Sequence, residues 1–230
     1  MPAPTGAHTS LNYYWEDNGF LQDPSDSTPK VFGADEQLTT READNDATRI
    51  FLPLSRRAVD IKPGSFEGSW AVEFGLTNPW WFRSILGAPS TTDNGDGTHT
   101  HVYDGDPEPM RILEGYENTG TPLELRGCVP VSASIDPTVD ENTVACTLEG
   151  VYAREGEGSG GIVSQTQLSN GVFDYADASL DVTGANNAVV QNASLNLQAN
   201  TELVDAFGSR FAIDYLAGAF EPEVDYTQVR

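Results

Sequence analysis

The chain holds three histidines, and two of them, His99 and His101, alternate along Thr98-His99-Thr100-His101-Val102-Tyr103. Alternate residues of a strand share a face, so this pair could offer two imidazoles to one metal ion, with Asp104 or Asp106 as a third ligand. A zinc or iron centre normally draws on a further His or Cys at useful spacing, and the remaining histidine is His8. The sequence therefore predicts no metal centre. Asp93-Asn94-Gly95-Asp96-Gly97 departs from a calcium loop, because glycine fills positions three and five, where side-chain oxygens belong; it reads as a turn. Carboxylate pairs recur (Asp104/Asp106, Glu155/Glu157, Glu221/Glu223). A glycosidase needs such a pair in a cleft that splits their pKa values, but a chain this rich in acids produces pairs without any catalytic purpose. No Gly-x-Ser-x-Gly elbow, phosphate loop or Gly-x-Gly-x-x-Gly is present. Asn192-Ala193-Ser194 matches the glycosylation sequon, which carries little weight in a chain without a secretory leader. No catalytic residue, metal ligand or cofactor site is assigned.

The 230 residues carry 35 acids against 12 bases, a formal charge of −23, and the lysines are Lys30 and Lys62 alone. The acids recur along the whole length, interleaved with aromatic and β-branched residues, which points to a folded acidic surface rather than a disordered tract. Such a surface repels itself in dilute buffer and is screened in concentrated salt. The composition thus suits a protein working in molar salt, an ordinary acidic mesophile protein being the alternative. The same charge argues against binding to the phosphates of nucleic acid. No apolar run is long enough to span a membrane. Met1-Pro2-Ala3-Pro4-Thr5-Gly6 lacks the charge and the apolar stretch of a secretory signal, so the protein is expected to be made in the cytoplasm and kept there until something larger releases it.

The elements that would position any site are mostly strands. Ile50 to Phe74 reads as two or three of them, with a turn at Lys62-Pro63-Gly64 and Phe66, Trp70, Val72 and Phe74 at alternating spacing, the mark of a sheet with one buried face. Asn78 to Gly87 predicts the one helix: Asn78 as N-cap, Pro79 at the first helical position, Gly87 at the end. Trp81, Phe82, Ile85 and Leu86 share one face of it, a core stripe rather than a sugar or membrane contact. Residues 33–49 are polar and acidic (Asp35, Glu36, Glu42, Asp44, Asp46) and are expected to form a long loop, either a disordered excursion or an arm used in binding or assembly.

Segments Leu125 to Ile135 and Thr143 to Ala153 predict a hairpin centred on Pro137. Cys128 and Cys146 would then be equidistant from the turn; free buried thiols are the expectation for a cytoplasmic protein, a cross-strand disulfide the alternative. The block Ser55-Arg56-Arg57-Ala58-Val59-Asp60-Ile61 … Gly64-Ser65-Phe66-Glu67 returns as Ser209-Arg210-Phe211-Ala212-Ile213-Asp214-Tyr215 … Gly218-Ala219-Phe220-Glu221, at constant offset. Self-similarity at long period predicts a duplicated strand unit. With the Gly-rich stretch 155–161 taken as a flexible joint, the chain divides into a β domain at 1–154 and a second β unit at 162–230.

One ordered series resembles a known family. Gly64-Ser65-Phe66-Glu67 opens a strand ending in Glu73-Phe74, a short Trp-rich helix closes on Leu86-Gly87, and Thr98-His99-Thr100-His101 follows. Then come Met110-Arg111-Ile112-Leu113-Glu114-Gly115-Tyr116, Arg126-Gly127-Cys128-Val129 and Thr143 to Val151. Over some ninety residues this order is similar to the major tail tube proteins of tailed, siphovirus-like viruses, and the acidic composition adds a halophilic archaeal host. The second block stops at Arg230, where the first runs on into a helix and hairpin. The resemblance implies a mainly β fold: a tail-tube-type sandwich or barrel with one short α-helix packed on the sheet and long loops. It also implies a non-enzymatic virion protein, assembled in the host cytoplasm. Its partners would be further copies of itself in stacked, hexameric rings, other tail proteins at both tube ends, and viral DNA passing through the lumen without specific binding; no membrane is involved. On this reading Asp35, Glu36, Glu42, Asp44 and Asp46 would lie in an arm that reaches a neighbouring ring. The competing reading is a halophilic β-sandwich that binds a ligand or carbohydrate.

Overall fold

A computed structural model describes residues 9–26, 28–51, 53, 57–116, 119–137, 143–158, 171–174 and 189–229. Its strands are β1 (Thr9–Trp15), β2 (Ala34–Phe51), β3 (Ala58–Gly75), β4 (Pro89–Asp93), β5 (His99–Tyr103), β6 (Met110–Tyr116) and β7 (Thr119–Asp136). They continue with β8 (Ala145–Tyr152), β9 (Arg154–Glu157), β10 (Val189–Gln198), β11 (Glu202–Val204), β12 (Asp214–Leu216) and β13 (Glu221–Val229). The described residues contain one helix, α1 (Phe82–Leu86). The chain is thus mainly β, as its alternating apolar positions require.

Strand β7 organises the molecule. Its first half pairs with β6 and β9, and β1 lies beyond β6. Its second half pairs with β8 on one side and β10 on the other, giving the order β2-β3-β8-β7-β10-β13. A strand that leaves one sheet for another needs a bend. Here Gly127 takes φ +63, and a register shift follows between Pro130 and Ser132. A Cβ on Gly127 would lie 2.8 Å from the Phe20 ring, so the bend is also closely covered. Both sheets stay open, which makes a sandwich rather than a closed barrel.

The two inner faces meet in one core. Leu11, Tyr13 and Trp15 of β1 and Met110 and Ile112 of β6 pack with Trp70, Val72 and Phe74 of β3 and Cys146, Leu148 and Tyr152 of β8. Trp70 keeps its indole satisfied by donating to the Val151 carbonyl at 3.0 Å. The helix adds Trp81 and Ile85 to this core, with Trp81 edge-on to Phe74 at 5.5 Å. Asn78 does accept the Trp80 N–H at 3.1 Å. The next turn, however, is wound with bonds three residues apart (Phe82 to Pro79, Arg83 to Trp80), so α1 is shorter than the predicted Asn78–Gly87.

Four expectations change. Residues 34–51 are not a loop: β2 pairs with β3 from Ala34↔Gly75 to Phe51↔Ala58, forming a long hairpin whose outer half stands clear of the sheet. Residues 155–157 belong to β9, whose Leu123↔Glu157 and Leu125↔Glu155 pairs hold them on β7, while 159–161 lie outside the described residues. The 128/146 cysteine pair does not face: Cys146 is opposite Ile135 and Cys128 opposite Met110, because the β7–β8 hairpin turns beyond Pro137 and its register shifts. Both thiols are free and buried. The repeated block takes two conformations. Its first copy continues through β3, whereas its second is broken into irregular backbone, β12 and the start of β13. The copies touch: Phe66 N–H donates to the Arg210 carbonyl at 2.8 Å, and the Phe66 and Phe211 rings lie 5.7 Å apart. Through this contact and the β7–β10 ladder, strands of the 162–230 segment share a sheet with the first. The sequence also predicts a strand at Ser179 to Val182 and a turn at Ala185-Asn186-Asn187; both lie outside the described residues.

Candidate functional site: an acidic sheet face and a projecting arm

The residues with chemical potential in the sequence are placed apart. His99 and His101 are exposed on β5, where His101 Nδ1 lies 2.8 Å from Thr91 Oγ1. Asp104 accepts the Asp106 N–H, and Asp93 and Asp96 accept the N–H groups of Gly95 and Thr98; these acids build turns. Glu155 accepts the Tyr152 hydroxyl at 3.0 Å. Among the described residues no three His, Cys, Asp or Glu side chains converge as a metal site.

Titratable groups converge inside, between β1, β6 and β7. Arg111 sits among three carboxylates, at 3.6 Å from Glu16, 3.3 Å from Glu124 and 3.0 Å from Asp23. Glu124 also pairs with Arg126 at 2.7 Å. Glu16 is fully buried and accepts the N–H groups of Leu21 (2.8 Å) and Gly127 (3.2 Å). Burial pushes its carboxyl up to about 7, against the lowering pull of those N–H groups and Arg111. Every member holds a neighbour in place, so the cluster fixes the 16–23 turn onto the sheet.

The sign of its pH dependence follows. A group whose folded pKa lies above its unfolded value binds its proton more tightly in the folded state. Glu16 therefore supports the fold fully below about pH 4.5, and that support is lost as pH rises through about 7. Glu16→Gln mimics the protonated acid. Thermal melts between pH 5 and pH 8 should show wild type losing stability relative to Glu16→Gln, by up to about 3 kcal/mol; parallel curves would refute the burial argument.

The broad feature is the outer face of the β2-β3-β8-β7-β10-β13 sheet. Side-chain alternation and register put Glu42 and Asp44 of β2, Glu67, Ser69 and Glu73 of β3, and Thr147 and Glu149 of β8 on it. Ser132, Ser134 and Asp136 of β7, Asn196 and Gln198 of β10, and Glu221, Glu223 and Asp225 of β13 continue the same face. Across six strands these positions are acidic, hydroxyl or amide, with no Lys or Arg. Arg41, the base in this part of β2, is opposite Trp70 on the inner side and reaches Glu114 at 3.4 Å. Asp44 stands directly opposite Glu67, a like-charge pair that costs stability unless salt screens it.

Of the five acids expected in the arm, Glu42 and Asp44 lie on this exposed face, and Asp35 is exposed at its edge with φ +50. Asp46 lies farther along β2. Glu36 is different: it is 8% exposed and turned inward, accepting N–H groups of Phe32 (2.8 Å) and Leu11 (3.3 Å). It ties β1 to the entry of β2 and is no surface contact. Sequence gave no signal for this, because an acid among acids reads as surface. The arm's outer end is instead apolar, with Ile50, Phe51, Val59 and Ile61 exposed.

Residues 6–227 match the sequence model of a family described as "Phage tail tube protein". No curated protein matches the chain. Among solved structures, one chain of the "Cryo-EM structure of the anti-feeding prophage (AFP) baseplate, 6-fold symmetrised" is similar. It is 14% identical with a TM-score of 0.44, over 70% of this chain and 99% of that one.

Proposed function

The chain belongs to the phage tail tube protein family, a structural component of the virion, and from that premise we propose that it is the repeating subunit of the tube itself. Copies close into rings, six to a ring, and the rings stack into a conduit that carries DNA to the host. The host of this siphovirus-like tail is a halophilic archaeon, since 35 acids against 12 bases leave a surface that only concentrated salt keeps from repelling its own copies. Other tail proteins cap the two ends of the tube, which is assembled in the host cytoplasm.

The observation that carries this reading is the base-free sheet face. A polyanion slides past a wall only if no Lys or Arg along it binds phosphate, and the outer face of six adjacent strands meets that condition. Among the described residues the sheet also ends in two open edges, β2 and β13, and open edges ask for a partner strand. Edge-to-edge closure between copies would set the acidic faces inward, around a channel.

Negative-stain electron microscopy of the protein in molar potassium chloride tests the proposal. Rings or tubes with a central channel are expected; compact monomers at high concentration would overturn it and favour a ligand-binding sandwich. The lumen assignment has its own test. Ser134→Lys, Thr147→Lys and Asn196→Lys put three cations on adjacent strands without disturbing the core. Virions carrying them should assemble and release DNA several-fold more slowly, with a stronger salt dependence. Unaltered release kinetics would place that face elsewhere.

A further inference from the structure

The arm tip has a charge opposite to that of the rest of the molecule. Residues 48–63 hold four of the twelve bases (Arg49, Arg56, Arg57, Lys62) and one acid, Asp60, so all but one of the 35 acids lie elsewhere. Arg49 and Lys62 are set among exposed apolar side chains: Phe51 is 53% exposed, Val59 53% and Ile61 58%. Arg49 and Ile61 are directly opposite in register and so share one face of the hairpin. Lys62, next to Ile61 in the strand, points to the other face and is engaged with Asp60 at 2.7 Å, so Arg49 is the base set directly against Ile61.

A matching surface lies on the same chain. The β11–β12 hairpin pairs Glu202 with Leu216 and Val204 with Asp214. These four side chains therefore share a face, and all are exposed, Leu216 at 64%. Each pair sets an acid against an aliphatic residue, the complement of the Arg49/Ile61 pair. A groove of about 330 Å³ borders the hairpin, lined by Phe66, Glu67, Val151, Thr201, Glu202 and Asp205. That groove lies at the root of the chain's own arm, several residues down β3 from Ile61.

We propose that the arm tip of one copy docks on the β11–β12 hairpin of a second copy, Arg49 against Glu202 or Asp214 and Ile61 against Leu216 or Val204. Charge complementarity selects the occupant: an acidic protein offers its own basic tip no better surface than another copy of itself. The contact is heterologous, tip to root, so it repeats from copy to copy instead of ending at a dimer. It deepens the tube reading by naming what the arm binds, and rests on that reading for the assembly it serves. Concentrated salt weakens the long-range attraction but strengthens apolar burial, which fits a contact built half from each.

The test is a mixed cross-link between full-length chains. Ile61→Cys and Leu216→Cys each add one surface thiol, while Cys128 and Cys146 are buried. One variant carries a mass tag, and the two are mixed and oxidised in potassium chloride. The mixed disulfide dimer should exceed the like-with-like dimers, and adding Arg49→Glu to the Ile61→Cys chain should cut its yield about tenfold. Restoring the opposite sign with Glu202→Arg and Asp214→Arg on the other chain should recover it. Absence of the mixed dimer, or a yield indifferent to Arg49→Glu, overturns the docking proposal. Because the readout is a dimer, tubes without the cross-link would sink the docking alone, and the cross-link without tubes would sink the tube reading alone.

Discussion

Arg111→Ala should cost the fold about 3–5 kcal/mol, the largest effect of any single side chain in the buried charge cluster. The arginine is 5% exposed and faces Glu16, Glu124 and Asp23. Its removal leaves Glu16 and Glu124 buried, with Arg126 the remaining base of the cluster. Neither acid can turn to water, since Glu16 is fixed by the Leu21 and Gly127 N–H groups and both lie under the turn they help to hold. The cost should fall at low pH, where the buried Glu16 carboxyl, already pushed up to about 7 by burial, takes a proton. Denaturant titrations of Arg111→Ala and wild type at pH 7 and pH 5 check both halves. A loss below about 1 kcal/mol at pH 7 would mean that water or a cation reaches the cluster.

Excising the arm tip should leave the fold standing and abolish stacked tubes. The hairpin register places Asn45 opposite Phe66, so residues 46–65 can be replaced by a two-residue Asn-Gly turn that joins the strands in register. Below that cut the arm is anchored: Phe66 N–H still reaches the Arg210 carbonyl, Arg210 still donates to Asn45, and no core side chain is removed. Unfolding free energy should stay within about 1 kcal/mol of wild type, as expected for a change confined to surface. Electron microscopy and sedimentation should then find single rings or free subunits where the intact protein gives tubes. Tubes of ordinary length from the shortened chain would remove the arm from assembly altogether. Deletion of the whole 33–49 segment would not separate these questions, because Glu36 anchors β1 and the variant would lose its fold.

What the sequence made legible was whatever one strand or one helix determines by itself. The alternation of Phe66, Trp70, Val72 and Phe74 pointed to a buried face, and all four are buried. Trp81 and Ile85 likewise entered the core from a helix whose spacing announced it. Residues 34–51 concealed their strand because the outer half of the hairpin is wet on both sides and the inner half turns a glutamate, Glu36, and a single leucine, Leu38, toward the core, so no apolar period marks it. The cysteine register was hidden for another reason: a shift within a strand and the place of a turn are tertiary facts. Arg111 lies in β6, Glu124 in β7 and Glu16 just past the end of β1, and nothing in their spacing brings them together. The repeated block misled in a productive way. Its similarity is real, but its copies pack against each other rather than building two like units. The base-free face could be read only after register had assigned each polar residue to a side.

The pairing order also fixes the sequence of events by which a new chain finds its shape. Strand β1 has its partner in β6, with Thr9 opposite Tyr116, and the second half of β7 is completed on one side only when β10 arrives. Strand β1 must therefore wait for about a hundred residues of further synthesis, and the long central strand for some sixty more. Such remote pairings place folding in the slow range of milliseconds to seconds, during which bare strands are exposed at high local concentration. Concentrated salt screens the repulsion that would otherwise hold nascent acidic copies apart, so only the filling of each strand's own partners, β6 beside β1 and β10 beside β7, closes that exposure.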